Sequence, residues 1–180
     1  MFILKKEYLP SYTYLDYEQW EGKWELIDGI PYAMAPAPGW YHQKINGRLF
    51  AALDEALKIC NQCEANMPIN WKIGDMTIVE PDVVVVCKPF EEGLYLTKTP
   101  EIIFEILSPS TAEKDRTLKY ELYRGKGVGY YIIVHPIEKI AEVFLLDAGG
   151  QYIPQGKYFD TPFHFEISGC SFDLDFGLIW

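Results

Sequence analysis

Positive charge is scarce in this chain. Its 180 residues carry 16 Lys and Arg against 26 Asp and Glu, a formal net charge of −10. Non-specific nucleic-acid affinity rests on neutralising phosphates, so this balance argues against it while leaving room for a local basic patch. Five basic residues do gather between positions 114 and 126, but Glu113, Asp115 and Glu121 offset them, which reads as a solvated helix face. Long apolar runs are missing too: nothing approaches the ~20 residues needed to span a bilayer. The opening MFILKK has only a short apolar run and no cleavage-site pattern, so neither a signal peptide nor a membrane partner is expected, and the cytoplasm is the expected compartment. Four cysteines, at 60, 63, 87 and 170, are too few for a disulfide framework. Cys60 and Cys63 form a single CxxC with no second pair and no nearby histidine, which excludes a zinc site and reads as reduced packing thiols. Repeats, low-complexity segments and splitting linkers are absent, so residues 1–180 suit one domain large enough for a good core.

Aromatic residues, at 16%, are plentiful and favour a β-rich fold. The organising stretch is 80–123. Val83, Val84, Val85 and Val86 are consecutive and β-branched, as in a central strand covered on both faces. A second apolar run, 101–107, carries Glu105 near its far end. If the two runs pair antiparallel about Gly93 and Leu94, paired residue numbers keep a constant sum, so Val84 faces Ile103 and Asp82 faces Glu105. Both carboxylates then project from one face at one end of the sheet. Two such acids repel unless one is protonated or a cation lies between them.

A helix follows, entered at about Thr111 through the S-x-x-E capping pattern of Ser110 and Glu113. Leu118, Leu122 and Tyr123 set its apolar stripe, and Asp115 and Lys119 fall within the same arc. Lys119 needs an anionic partner there. Spacing alone allows either an i, i+4 pair with Asp115 or a reach over the sheet edge to Asp82 and Glu105.

Around this centre the pattern predicts a short helix over 13–21, a strand over 24–27, a tight Asp28-Gly29 turn and a returning strand over 31–35. Glu25 shares a face with Ile27. A long helix over 40–60 carries His42, Ile45, Leu49, Ala52, Leu53, Ala56, Leu57 and Cys60 in its stripe, with His42 able to look toward the acids. Strands are expected over 65–73, 77–79, 127–134 and 140–146, then short β segments near Tyr158, over 163–167 and over 172–174. Helices interleaved with strands in this order predict an α/β (α+β) fold, a mixed central sheet flanked by helices with an extra N-terminal hairpin and C-terminal β segments. The core is expected over about 12–146 and a C-terminal β extension over about 147–180.

Several motifs together resemble those of the Uma-type putative restriction endonucleases of the PD-(D/E)XK nuclease superfamily: WELIDG at 24–29, Ala35-Pro36-Ala37 with His42 beyond it, PDVVVV at 81–86, FEILSPST at 104–111, and the series Asp115, Lys119 and Tyr123. The resemblance covers roughly residues 12–143, and each short motif alone would be weak. It implies a restriction-endonuclease-like core in which Asp82 and Glu105 bind Mg²⁺ or Mn²⁺ with the main-chain carbonyl of Ile106. The superfamily pattern puts a lysine two residues after the second acid, where this chain has Leu107. The family resemblance moves that role to Lys119, with Glu25 and His42 as further site members. His135 stands where an aspartate is usual before the proline, and Tyr131 where tryptophan is common.

A hard cation of this kind takes oxygen ligands, which suits two carboxylates and a carbonyl. On this reading the chain is a metal-dependent DNA endonuclease, acting as a homodimer because duplex cleavage needs two cuts. Singly, Asp82 reads as a turn acid, Glu25 as an exposed strand residue and His42 as a satisfied core histidine. Glu105 resists that treatment, since a glutamate in a buried strand requires a partner. Two other readings stay open: a binding protein that keeps the nuclease fold without cleaving, favoured by the acidic charge, and a two-carboxylate enzyme such as a glycosidase, which needs no ion.

Overall fold

The computed structural model describes residues 10–34 and 38–180. The opening MFILKK stretch and the Ala35-Pro36-Ala37 motif lie outside them. The architecture is mixed α+β, built on a six-stranded sheet of order β10-β9-β8-β7-β6-β3. Its centre is β6 (Val83–Cys87) and β7 (Ile102–Ile106), each buried at every position. They run antiparallel with Val84 opposite Ile103 and Val83 opposite Phe104, and one further step of that register puts Asp82 opposite Glu105. β8 (Tyr130–His135) lies parallel to β7, which makes the sheet mixed, and β9 (Ile140–Leu146) and β10 (Tyr152–Tyr158) follow antiparallel. β3 (Cys63–Asn66) closes the other edge against β6.

The two faces of this sheet are packed differently. Helix α2 (Trp40–Ala56), extended by a 3₁₀ turn over Leu57–Ile59, covers one face with Ile45, Leu49, Leu53 and Leu57, all buried against Val83, Val85, Phe104 and Ile132. Each such aliphatic side chain contributes roughly 1.5–3 kcal/mol on burial. The hairpin of β11 (Pro162–Ile167) and β12 (Cys170–Asp175) completes that layer with Phe165 and Phe172. The opposite face collects Val84, Val86, Ile103, Tyr131 and Ile133 beneath the helix that joins β7 to β8.

That connecting helix spans residues 112–125 and is not uniform. It starts as one α turn, α3 (Ala112–Lys114), widens into a π turn over Asp115–Lys119, and ends as α4 (Tyr120–Gly125). Thr111 is its N-cap and no side chain caps it, so the expected Ser110 and Glu113 box does not form. Ser110 bonds to the Ser108 hydroxyl instead, and the Ser108 carbonyl accepts the amides of Thr111 and Ala112.

A second, four-stranded sheet of order β2-β1-β5-β4 brings the N-terminal hairpin to the site. Short helix α1 (Tyr14–Tyr17) leads to β1 (Trp24–Ile27), which pairs with β2 (Ile30–Ala33). Asp28 and Gly29, with φ of 52° and 79°, make the turn between them, and a Cβ on Gly29 would sit 2.5 Å from the Ser11 hydroxyl oxygen. Only glycine suits that position. The single strand expected over 65–73 is in fact two: β3 ends at Asn66, Pro68 interrupts, and β4 (Trp71–Gly74) joins the smaller sheet beside β5 (Thr77–Val79). Proline has no amide to extend a ladder, so the chain changes sheets there.

The cysteines also differ from expectation. Cys60 pairs with Cys170 and Cys63 with Cys87 as disulfides, in place of four reduced thiols. Cys63 and Cys87 are opposite one another in the β3 and β6 register, a proximity that spacing along the chain does not reveal.

Candidate functional site

At one end of the central sheet, where β6 begins and β7 ends, the chain buries an unusual amount of charge. Glu25, Glu105, Asp115 and Lys119 are all at most 3% exposed. Glu25 comes from β1, Glu105 from β7, and Asp115 and Lys119 from the π turn. A cleft of about 340 Å³ opens onto this end and is lined by His42, Asp82, Glu105, Lys114, Asp115 and Lys119 among others.

Lys119 is the hub. Its Nζ lies 2.8 Å from Glu105 Oε1, 2.8 Å from Glu25 Oε1 and 3.8 Å from Asp115 Oδ1. Of the two orientations that spacing allowed, the ammonium therefore takes the reach over the sheet, with Asp115 a more distant neighbour. Burial works against its charge, but Glu105, Glu25 and Asp115 outweigh burial and raise its pKa well above the ordinary lysine value. Lys119 is thus a fixed cation.

The acids divide. For Glu25, burial is overcome by Lys119 and Lys114, which hold its carboxyl below the usual glutamate range. Its Oε2 takes the Lys114 ammonium and its Oε1 also accepts the Glu80 amide at 3.0 Å. Burial dominates at Glu105 and pushes its carboxyl up, Lys119 pulls it back, and Asp115, Asp82 and Glu25 push it up further. Asp115 is raised by burial as well, against the pull of Lys119. Tyr123 donates its hydroxyl to Glu105 Oε1 at 2.6 Å.

Asp82 and His42 form the outer wall. Asp82 Oδ2 accepts the Ile106 amide at 2.8 Å, and His42 Nε2 stands 3.3 Å from the same oxygen. Burial depresses the imidazole pKa, but Asp82 more than compensates and raises it. Within the site, then, Ile106 meets Asp82 through its N–H. The sequence-derived set of Glu25, His42, Asp82, Glu105 and Lys119 is brought together at one sheet end.

Three participants escape sequence reasoning. Lys114 and Lys119 both bind Glu25 although five residues separate them, which an α-helix would place about 140° apart. The π turn, with its i→i+5 pattern, brings them to one side. Asn46 lies one turn beyond His42 on α2 and is 1% exposed. Tyr123 reads as an apolar stripe residue until its hydroxyl is located. The solvated face expected over 114–126 is also corrected: Lys114 and Lys119 are spent on Glu25, and Arg116 reaches Glu142.

Whether a divalent cation fits can be judged from polar atoms left without partners. Among the described residues, the buried side-chain atoms lacking a hydrogen bond are His42 Nδ1, Asn46 Oδ1 and Asp115 Oδ1, and all three residues line this cleft. Four carboxyls at Glu25, Asp82, Glu105 and Asp115 face two ammoniums at Lys114 and Lys119 and the imidazole of His42, so acids outnumber bases. Protons on raised carboxyls or one divalent ion would balance the surplus, and the donors are oxygens, as a hard cation requires. No ready-made cluster of three His, Cys, Asp or Glu side chains exists among the described residues. The donor chemistry fits, with side-chain adjustment left for the ion to induce.

Among solved structures, the chain resembles a crystal structure from Anabaena variabilis ATCC 29413 described as a putative nuclease belonging to DUF820, at 17% identity and a TM-score of 0.72. The likeness covers 93% of this chain and 96% of that one, and shows the fold. A search of curated proteins finds no match. The family Uma2, described as "Putative restriction endonuclease", matches residues 12–163, and with most of its length so matched the chain belongs to the Uma2 family.

Proposed function

We propose that this protein is an endonuclease that hydrolyses DNA phosphodiester bonds with Mg²⁺ or Mn²⁺, acting from the cytoplasm as a homodimer that cuts both strands. The observation that carries the reading is Lys119, buried as a cation between Glu25 and Glu105 in the lining of an acid-rich cleft. The catalytic core lies within residues 12–146 of a single domain, and residues 147–180 extend it.

Asp82, Glu105 and the Ile106 carbonyl would hold the ion. When bound, it supplies neutralising charge at phosphorus and makes attacking water more acidic. Lys119 keeps its proton, so it acts as a fixed donor that orients that water and offsets the phosphate charge. Glu25 holds Lys119 and Lys114 in place. His42 positions Asp82, and Tyr123 fixes one oxygen of Glu105. The competing reading, a protein that binds without cleaving, draws on an acid cluster already stapled by two lysines and on the net charge of −10.

The test is incubation with duplex, single-stranded and branched DNA, with and without Mg²⁺ or Mn²⁺, using the native chain and Asp82→Asn. Metal-dependent cleavage that Asp82→Asn abolishes is expected. Binding without cleavage in either metal would transfer the case to the competing reading, and cleavage unaffected by chelation would remove the ion from the mechanism.

A further inference from the structure

A second cluster of charge sits on the same row of the sheet and has the opposite sign. In the strand register, Glu105 on β7 pairs with Ile133 on β8, Ile133 with Glu142 on β9, and Glu142 with Lys157 on β10. Paired residues share a face, so this row leads from the candidate active site toward the β10 edge. At about 4.8 Å per strand, Glu142 lies about 10 Å from Glu105 and Lys157 about 14 Å.

Three nitrogen groups converge on the Glu142 carboxylate. Arg116 Nη1 is 3.1 Å from Oε2, Lys157 Nζ 3.0 Å from Oε1, and His135 Nε2 3.3 Å from Oε1. Arg116 also contacts the His135 ring through its second nitrogen. One carboxylate cannot match two permanent cations, so the cluster keeps a positive excess even with His135 neutral. Its cations face water: the side chains of Arg116 and Lys157 are 38% and 65% exposed, whereas Glu142 is 12% exposed. Arg116 is also next in sequence to Asp115, which lines the cleft.

On a chain of net charge −10, a local positive excess beside an acid-rich cleft is where an extended polyanion gains most. We propose that Arg116, Lys157 and His135, gathered by Glu142, form a subsite for a backbone phosphate of the DNA strand, one or more nucleotides away from the bond at Glu105. This rests on the endonuclease reading. Glu142 holds the cations in place and competes with the phosphate for them. Arg116 supplies the planar fork that suits phosphate, Lys157 a mobile point charge, and His135 a ring that steadies Arg116.

The competition gives a test with opposite signs. Binding of a labelled duplex is measured in Ca²⁺ across a salt series for the native chain, Lys157→Ala, Arg116→Ala and Glu142→Gln. Removing either cation is expected to weaken binding roughly 5- to 10-fold near 0.1 M salt and to lower the slope of log K against log salt by about one. Glu142→Gln, which keeps the shape and removes the competing charge, is expected to tighten binding several-fold. Lys157 is exposed enough that its variant will fold, so the result does not hang on Arg116 or Glu142 alone. Unchanged affinity and slope in Lys157→Ala, or weaker binding in Glu142→Gln of native stability, overturns the subsite while leaving the endonuclease reading standing. A native chain that neither binds nor cuts DNA overturns both.

Discussion

The two charged clusters on one row of the central sheet make an instructive pair. Around Lys119 the groups are dry and acids outnumber bases; around Glu142 the bases outnumber the acid and reach into water. In each, one residue of the minority sign is clasped by several of the other. Burial decides what that means. A surplus of carboxylates out of contact with water must take up protons or a cation, and the raised carboxyls of Glu105 and Asp115 express that demand. A surplus of exposed cations is tolerated by solvent, and can be released to an incoming anion at little cost.

The sharpest way to break the contrast is Lys119→Ala. If its ammonium serves water and phosphate, cleavage should fall by roughly 10²–10⁴-fold while metal-induced thermal stabilisation persists, because the ion is held by the acids. Paired turnover and melting measurements check this, and retained cleavage would refute the assignment. Stability is expected to fall as well, because removing one partner leaves the buried carboxylates of Glu25 and Glu105 without their shared cation.

Next in size is Glu25→Gln, which removes the charge shared by Lys114 and Lys119. Leaving a buried cation under-compensated is expected to cost about 3–5 kcal/mol near neutral pH in denaturant titrations. Its pH dependence has a definite sign. Glu25 has a lowered folded pKa, so its contribution is complete above the ordinary value of 4.5 and is lost as pH falls through the folded value. The gap between native and Glu25→Gln should therefore close in acid. Glu105 and Asp115 behave oppositely: with raised folded pKa values, their contribution is complete below the ordinary 4.5 and 3.8 and is lost as pH rises through the folded values. Asp115→Asn should flatten that loss with rising pH, and a divalent ion should do the same in the native chain.

The smallest effect expected is at the rim. Arg116→Gln should change stability by no more than about 1 kcal/mol, because its partly exposed pair with Glu142 is screened and leaves Lys157 behind as partner. A loss of several kcal/mol on chemical unfolding would mean that the rim cluster is structural and erase the contrast with the interior.

The parts of this molecule that were legible in sequence are those governed by short periods. Alternation along β6 and β7 fixes which residues share a face, and the constant sum of paired numbers puts Asp82 opposite Glu105. Threefold and fourfold spacing along α2 likewise picks out Ile45, Leu49, Leu53 and Leu57, all of them buried. Legibility fails where the period breaks or the partner is remote. Asp115 and Lys119 fall on the inner arc by ordinary helix arithmetic, but Lys114 joins them only through the π turn. Pro68 splits an apparent strand between two sheets, and Cys60 finds Cys170 across 110 residues of chain. Asn46 gives no signal at all, being a polar residue beside the apolar stripe whose burial depends on what the cleft places above it.

The π turn has one more consequence. It fixes the site through its winding, so the change to which this helix is most exposed is a change of pitch. Restoring an ordinary α pitch over 115–119 with every residue kept would turn everything after it by roughly 90° relative to the residues before it. Lys114 and Tyr123, which now converge on Glu25 and Glu105, could no longer do so together. Every charged group could remain in the sequence and the arrangement would still be lost. Along this segment winding and length are linked: loss of one residue together with the π turn would bring its two ends back to nearly the same faces, so relatives that lack the π turn should be one residue shorter from Ser108 to Tyr123.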